Sequence, residues 1–170
     1  MDRIECIIPP GSAGTWEEAV RGFLLKNSTR IRLAQSQWMD FGLFRIRRFH
    51  WDMDPDFIFT LRRFKKFFLK KVSALSDPRD RDSRAIHFYY KLSSQIQEWI
   101  NEEGLFLGHP SAQLFYGFEN PAFYRNNSLL GRVMTYERTI ALYPTQSEKQ
   151  ELESAGLELG RGKIIQLQLP

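Results

Sequence analysis

The sequence predicts an α+β fold, in which a mostly antiparallel sheet carries a long pair of helices packed on one face. Strand signals stand early and late in the chain, and two helical patterns stand between them. Aromatic residues make up 14% of the chain, which favours a large ordered core over disorder. The 170 residues show no internal repeat and no linker-like stretch, so we expect a single globular domain over residues 1–170.

The first third of the chain combines strand and helix signals. Apolar runs at Ile4–Ile8 and Ile31–Leu33 predict two strands. Between them, a capping box that begins at Thr15 predicts a helix that continues to about Lys26. The segment Leu43–Phe49 alternates apolar and basic residues, and this alternation predicts a further strand.

Two long helices are predicted in the middle of the chain. Asp54 and Pro55 provide an N-cap and a proline at the first helical position, and a helical pattern then continues to Leu75. A second helix is capped near residues 82–83, shows apolar residues at helical spacing and ends at Gly104. We expect these two helices to pack against each other as a hairpin.

Strand signals return in the last third of the chain. Strands are predicted at Leu114–Phe118, over the long run Arg132–Tyr143 and at Lys163–Leu169, where apolar and polar residues alternate. Thr145 opens a second capping box, which predicts a short helix that ends at Gly156.

The first of the two predicted long helices has an unusually basic face. The segment 42–75 contains nine basic and three acidic residues, and the whole positive excess of the chain comes from it. Cations beside an aromatic side chain suit a phosphate backbone with base stacking. A solvated face, with charges paired to acids of the neighbouring helix, is the more common arrangement of such residues. The candidate anion-binding residues are Arg62, Arg63, Lys66 and Lys70, with Phe59 projecting among them.

Aromatic residues also cluster in the segment 116–124. Loops on a rigid scaffold are a common place for binding residues, so this segment is a candidate protein-contact surface. Burial of the same aromatics in the core is the more common outcome, because the Asn-Pro and Asn-Asn pairs nearby are ordinary turn formers. The candidate contact residues are Tyr116, Phe118, Phe123 and Tyr124.

Sequence signals for catalysis are weak. His50, Asp52 and Asp54 would share one face of a strand, where a histidine and two carboxylates suit a divalent metal. Asp54 is already explained as a helix cap, so we predict no metal site. The loop Gly11–Gly14 lacks the Lys-Ser/Thr pair of a phosphate-binding P-loop, and we predict no cofactor. Because nucleophile motifs are also missing, an enzyme is less expected than a binding protein.

Composition bears on location as well. The single cysteine, Cys6, cannot form an internal disulfide and lies in an apolar run typical of a buried thiol. The N-terminus has no apolar run of signal-peptide length, and no segment approaches the roughly 18 uncharged apolar residues of a membrane span. We therefore expect a soluble, cytoplasmic protein without membrane association. The sequence leaves its oligomeric state open.

Three functional hypotheses follow, in order of preference. The leading one is a non-enzymatic binding module whose basic face contacts an anionic partner, either nucleic acid or an acidic protein. The second is a protein-interaction or inhibitory protein, regulatory or toxin-neutralising, that uses the aromatic segment. The third is a small hydrolase or transferase built around His50 and Asp52.

Overall fold

A computed structural model of the chain describes residues 3–8, 15–36, 38–41, 44–47, 62–75, 84–105, 119–134, 139–157, 159 and 164–165. The strands are β1 (Arg3–Ile4), β2 (Cys6–Ile8), β3 (Arg30–Ser36), β4 (Trp38–Phe41), β5 (Phe44–Arg47), β6 (Phe68–Leu75), β7 (Arg84–Lys91), β8 (Glu119–Arg125), β9 (Ser128–Met134), β10 (Thr139–Leu142) and β11 (Ile164–Ile165). The helices are α1 (Thr15–Asn27), α2 (Ser94–Glu103) and α3 (Gln146–Ser154), with a 3₁₀ helix at Lys65–Phe67.

The described strands form one main sheet and two small pairs. Seven strands lie in the order β2-β10-β9-β8-β3-β7-β6. Every neighbouring pair in this sheet is antiparallel. Strand β1 pairs with β11, and β4 pairs with β5. An α+β fold with an antiparallel sheet, as predicted, is therefore confirmed.

The predicted pair of long helices is wrong. Within the range of the first predicted helix, the described residues begin with Arg62 and Arg63, where a helix ends. The chain then continues through the 3₁₀ helix into strand β6. In place of the second, the chain forms strand β7 and only then the shorter helix α2, which is capped by the Ser93 hydroxyl. Aromatic and β-branched side chains favour strands at these positions, where each strand gains hydrogen bonds from a neighbour.

All three described helices contribute to one hydrophobic core. Helix α1 provides the buried Leu24, helix α2 provides Trp99 and helix α3 provides Leu152. The approach of α1 to the sheet is close: a Cβ added at Gly131 of β9 would lie 2.7 Å from the Leu24 Cδ2 atom. A glycine is therefore required where α1 crosses the sheet. None of the described helices is long and apolar enough to cross a membrane.

Helix α3 begins with the predicted capping box. The Glu148 amide donates to the Thr145 hydroxyl at 3.3 Å, and the Thr145 amide donates to the Glu148 carboxylate at 2.9 Å. Arg125 of β8 also contacts this carboxylate, at 2.5 Å. Burial alone would raise the pKa of Glu148, but the hydrogen bonds from Thr145 and the Arg125 guanidinium outweigh it and lower the pKa. The cap thus also fixes α3 to the sheet.

Replacing Thr145 with alanine is expected to lower the free energy of unfolding by about 1 kcal/mol, because the helix loses an N-cap acceptor. Urea denaturation at neutral pH measures this change. The Thr145→Ser variant keeps the hydroxyl and should retain most of the stability. Equal losses in the two variants would contradict a capping role and indicate that the threonine methyl group matters instead.

Candidate functional site

Four cations of the basic segment 42–75 line a shared cavity. Arg62, Arg63 and Lys66, three of the predicted anion-binding residues, surround an open depression of about 610 Å³ together with Lys65 and Gln95. The two arginines close a helical turn, the two lysines lie in the 3₁₀ helix, and Gln95 comes from the first turn of α2. Phe59, the predicted aromatic companion, lies outside the described residues.

A buried phenylalanine holds this turn in place. Phe64 is fully buried, and its ring lies against Tyr90 of β7 and Trp99 of α2, at centroid distances of 6.4 and 5.3 Å. The Phe67 amide donates to the Phe64 carbonyl at 2.9 Å and closes the turn. Because the Phe64 side chain points inward, the basic residues on either side of it point outward into solvent.

Among the described residues, no acid neutralises the cations around the cavity. All four are exposed, and no Asp or Glu oxygen of the described residues lies within 4.0 Å of their nitrogens. Instead, the Arg63 guanidinium lies 5.4 Å from the centroid of the Phe64 ring, and the Lys66 ammonium lies 4.8 Å from that of Phe67. Aromatic faces stabilise a cation without cancelling its charge. The positive potential of the cavity therefore remains available to an anion.

Helix α2 adds to this potential. Its first turn contains no acidic residue, and Gln95 of that turn lines the cavity. The N-terminus of a helix carries a partial positive charge from its aligned peptide dipoles. The Ser93 hydroxyl already accepts a hydrogen bond from the Ile96 amide, so this amide is not free to bind an anion. Helix α2 therefore adds to the positive potential of the cavity mainly through its dipole.

Lys70, the fourth predicted cation, does not share a helical face with the others. It lies on strand β6, where its ammonium is 4.9 Å from the Tyr89 ring centroid, and Lys71 is 5.6 Å from that of Phe88. The cations therefore continue from the cavity along an edge of the sheet. We call this set the basic surface; it consists of Arg62, Arg63, Lys65, Lys66, Lys70 and Lys71.

The predicted aromatic contact segment is mostly not presented to solvent where it is described. Phe123 is fully buried and lies opposite Ile31 in the sheet, so its ring belongs to the core. Tyr124 is half-buried, 6.1 Å from the Tyr89 ring, and burial raises the pKa of its hydroxyl. Tyr116 and Phe118 lie outside the described ranges. Phe123 therefore gives no support to the predicted protein-contact surface in this segment.

The described residues give little support to catalysis. Cys6 is fully buried and burial raises the pKa of its thiol, which disfavours the reactive thiolate. His87 is also buried, and burial together with the Arg32 charge lowers its pKa to about 4. In the part of the chain with described coordinates, no three His, Cys, Asp or Glu side chains gather in a metal-binding arrangement. His50, Asp52 and Asp54 fall outside that part.

Two members of the cavity were not among the predicted site residues. Lys65 was not named as a candidate from the sequence, and the 3₁₀ helix brings it to the cavity. Gln95 carries no sequence signal, since it reaches the cavity only because α2 packs beside the basic turn.

Comparisons with known proteins add no relative. No protein-family model matches the chain, and neither the curated proteins nor the solved structures contain a significant match.

Proposed function

We propose that the protein is a binding module for an anionic partner and that it makes contact through the basic surface. The observation that carries the proposal is the cavity itself, where four exposed cations meet without a carboxylate from any described residue. Like charges placed together repel one another, and a bound anion relieves that repulsion. The cluster is therefore a more favourable place for an anion than an equal number of dispersed cations.

The shape of the cavity supports contact with charged groups of a larger partner. The depression is open to solvent, whereas pockets for small molecules are usually enclosed. An exposed phosphate or carboxylate can reach these cations without losing all of its water. Both nucleic acid and an acidic protein surface offer such groups in series.

Fluorescence anisotropy with two probes tests this proposal. The probes are a labelled single-stranded oligonucleotide and a labelled glutamate-rich peptide, each titrated from about 50 to 200 mM salt. We expect saturable binding of at least one probe, and its affinity should fall as salt rises, because phosphate or carboxylate contacts release bound counterions. Failure of both probes to bind at the lowest salt would contradict the proposal.

A pair of charge-matched variants tests the location. The Lys65→Ala/Lys66→Ala protein is expected to bind about tenfold more weakly at low salt and to show a shallower salt slope, because two anion contacts are lost. The control is Lys26→Ala/Lys149→Ala, which removes one lysine from α1 and one from α3 and changes the net charge equally. Equal weakening in both proteins would show that net charge alone acts, and would exclude the cavity as the site.

A further inference from the structure

We propose that the anionic partner is an extended acidic peptide that adds to the sheet as an extra strand along β6. This proposal rests on the proposed function and names the partner class of the same surface. It depends on the position of β6 in the sheet, on the side chains that this strand exposes, and on the charge beside them.

Strand β6 forms an edge of the main sheet. It pairs with β7 through antiparallel hydrogen bonds and stands last in the strand order. No described residue hydrogen-bonds to its other side. With eight residues, Phe68–Leu75, the strand is longer than a typical edge strand and offers a row of outward N–H and C=O groups. Such a row is the template that an added peptide strand requires.

The side chains of β6 are also accessible. Each residue from Phe68 to Ser73 is exposed, and Phe68, Leu69 and Val72 keep 42%, 49% and 37% of their surface in solvent. The register shift between Phe68 and Lys70 is a bulge at Leu69, which lies without a partner position on β7. An added strand would lie beside these three apolar side chains, and the part of their surface that it buried would contribute to affinity.

The charge of β6 distinguishes between the possible partners of this edge. In a symmetric antiparallel pairing of two copies over the whole strand, Lys70 of one copy would lie diagonally across from Lys71 of the other, and this approach of like charges disfavours the pair. A nucleic acid could reach the lysines, but its backbone cannot match the alternating donors and acceptors of a strand edge. An acidic peptide satisfies both the backbone groups and the cations.

The remaining cations extend this match beyond the strand. The 3₁₀ helix with Lys65 and Lys66 directly precedes β6, so a peptide paired with the strand reaches the cavity as it passes the Phe68 end. We therefore expect a partner segment that alternates acidic and apolar residues along β6 and carries further acids next to the cavity.

The test compares three probes of equal charge by anisotropy: a labelled peptide of alternating Glu and Val, the same peptide with every backbone nitrogen methylated so that neither edge can donate, and a single-stranded oligonucleotide. Methylation removes backbone donors but leaves every side chain in place, so strand addition predicts that the methylated peptide binds at least about tenfold more weakly. Hydrogen exchange should show slower exchange of β6 amides when the unmodified peptide is bound, with α1 unchanged.

A substitution at the bulge provides a second measurement. Leu69→Glu replaces an exposed side chain, so the fold should persist, and it should weaken the Glu-Val peptide at least about tenfold through charge repulsion and lost apolar contact. The Gln150→Glu variant, with the same added charge at an exposed position of α3, is the control and should change peptide binding less.

The possible outcomes separate this proposal from the proposed function. If both peptides bind equally and the Lys65→Ala/Lys66→Ala variant weakens both, anion binding stands and strand addition is overturned. Tighter binding of the oligonucleotide than of the Glu-Val peptide would also overturn it in favour of nucleic acid. A stable dimer in sedimentation, with β6 protected, would assign the edge to a second copy. No binding of any probe would overturn both proposals together.

Discussion

Replacing Phe64 with alanine is expected to lower the free energy of unfolding by about 3–5 kcal/mol, the range for truncating a large buried aromatic. The side chain is fully buried, and its ring contacts the rings of Tyr90 and Trp99 from the sheet and from α2. Alanine would leave a cavity where these elements meet. Urea denaturation at neutral pH measures the loss, and anisotropy should show weaker anion binding because the basic turn loses its anchor.

Two variants control this prediction. Phe67→Ala removes an equally large ring three residues further along, but Phe67 is only half-buried and should cost clearly less. Phe64→Leu retains most of the apolar volume and should restore much of both the stability and the binding. If Phe64→Ala and Phe67→Ala destabilise the protein equally, Phe64 is not the specific anchor of the basic turn.

The sequence predicted local features well where a side chain and its backbone partner lie close together. The capping boxes that begin at Thr15 and Thr145 predicted helices now seen as Thr15–Asn27 and Gln146–Ser154. A capping box depends on contacts within four residues, so no distant part of the chain is needed to recognise it. The predicted run Arg132–Tyr143 proved to contain the end of β9 and the whole of β10, and these two strands pair with each other.

The error over the two long helices has a physical cause. Phe64, Phe68 and Val72 recur every four residues, and this spacing fits one face of a helix as well as alternate positions of a strand. In the next segment, the helical pattern masked the alternation of Ile86, Phe88 and Tyr90 into the core. The choice depends on neighbouring strands β3 and β6, which supply hydrogen bonds to β7 from elsewhere in the chain. The periodicity of a segment cannot reveal which strands will pair with it.

The candidate site was predictable in charge but not in geometry. The concentration of cations in the segment is independent of its secondary structure. The sequence therefore predicted Arg62, Arg63 and Lys66 as candidate residues, and they line the cavity although the predicted helix was wrong. Their separation from Lys70, and the arrival of Gln95 from α2, follow from the turn at Phe64 and from tertiary packing. Because of this turn, the cations predicted on one helical face lie instead around a cavity and along the edge strand β6.

Acid is expected to destabilise the protein through His87. This side chain is buried, and burial with the Arg32 charge lowers its pKa from 6.5 to about 4, so the folded state holds a neutral imidazole. The unfolded chain binds a proton near its ordinary pKa. The contribution of His87 to stability is therefore complete above pH 6.5 and is lost as the pH falls towards 4. Between pH 7 and 5 the free energy of unfolding should fall by about 2 kcal/mol.

Urea denaturation at pH 7, 6 and 5 measures this loss, and the His87→Leu variant isolates it. Leucine cannot bind a proton, so the variant should lack about 2 kcal/mol of the pH dependence while other groups titrate as before. Lowered carboxyl pKa values such as that of Glu148 act at lower pH and interfere little in this range. An imidazole titration near pH 6.5 in the folded protein, or an unchanged slope in His87→Leu, would show that His87 is readily protonated in the folded state.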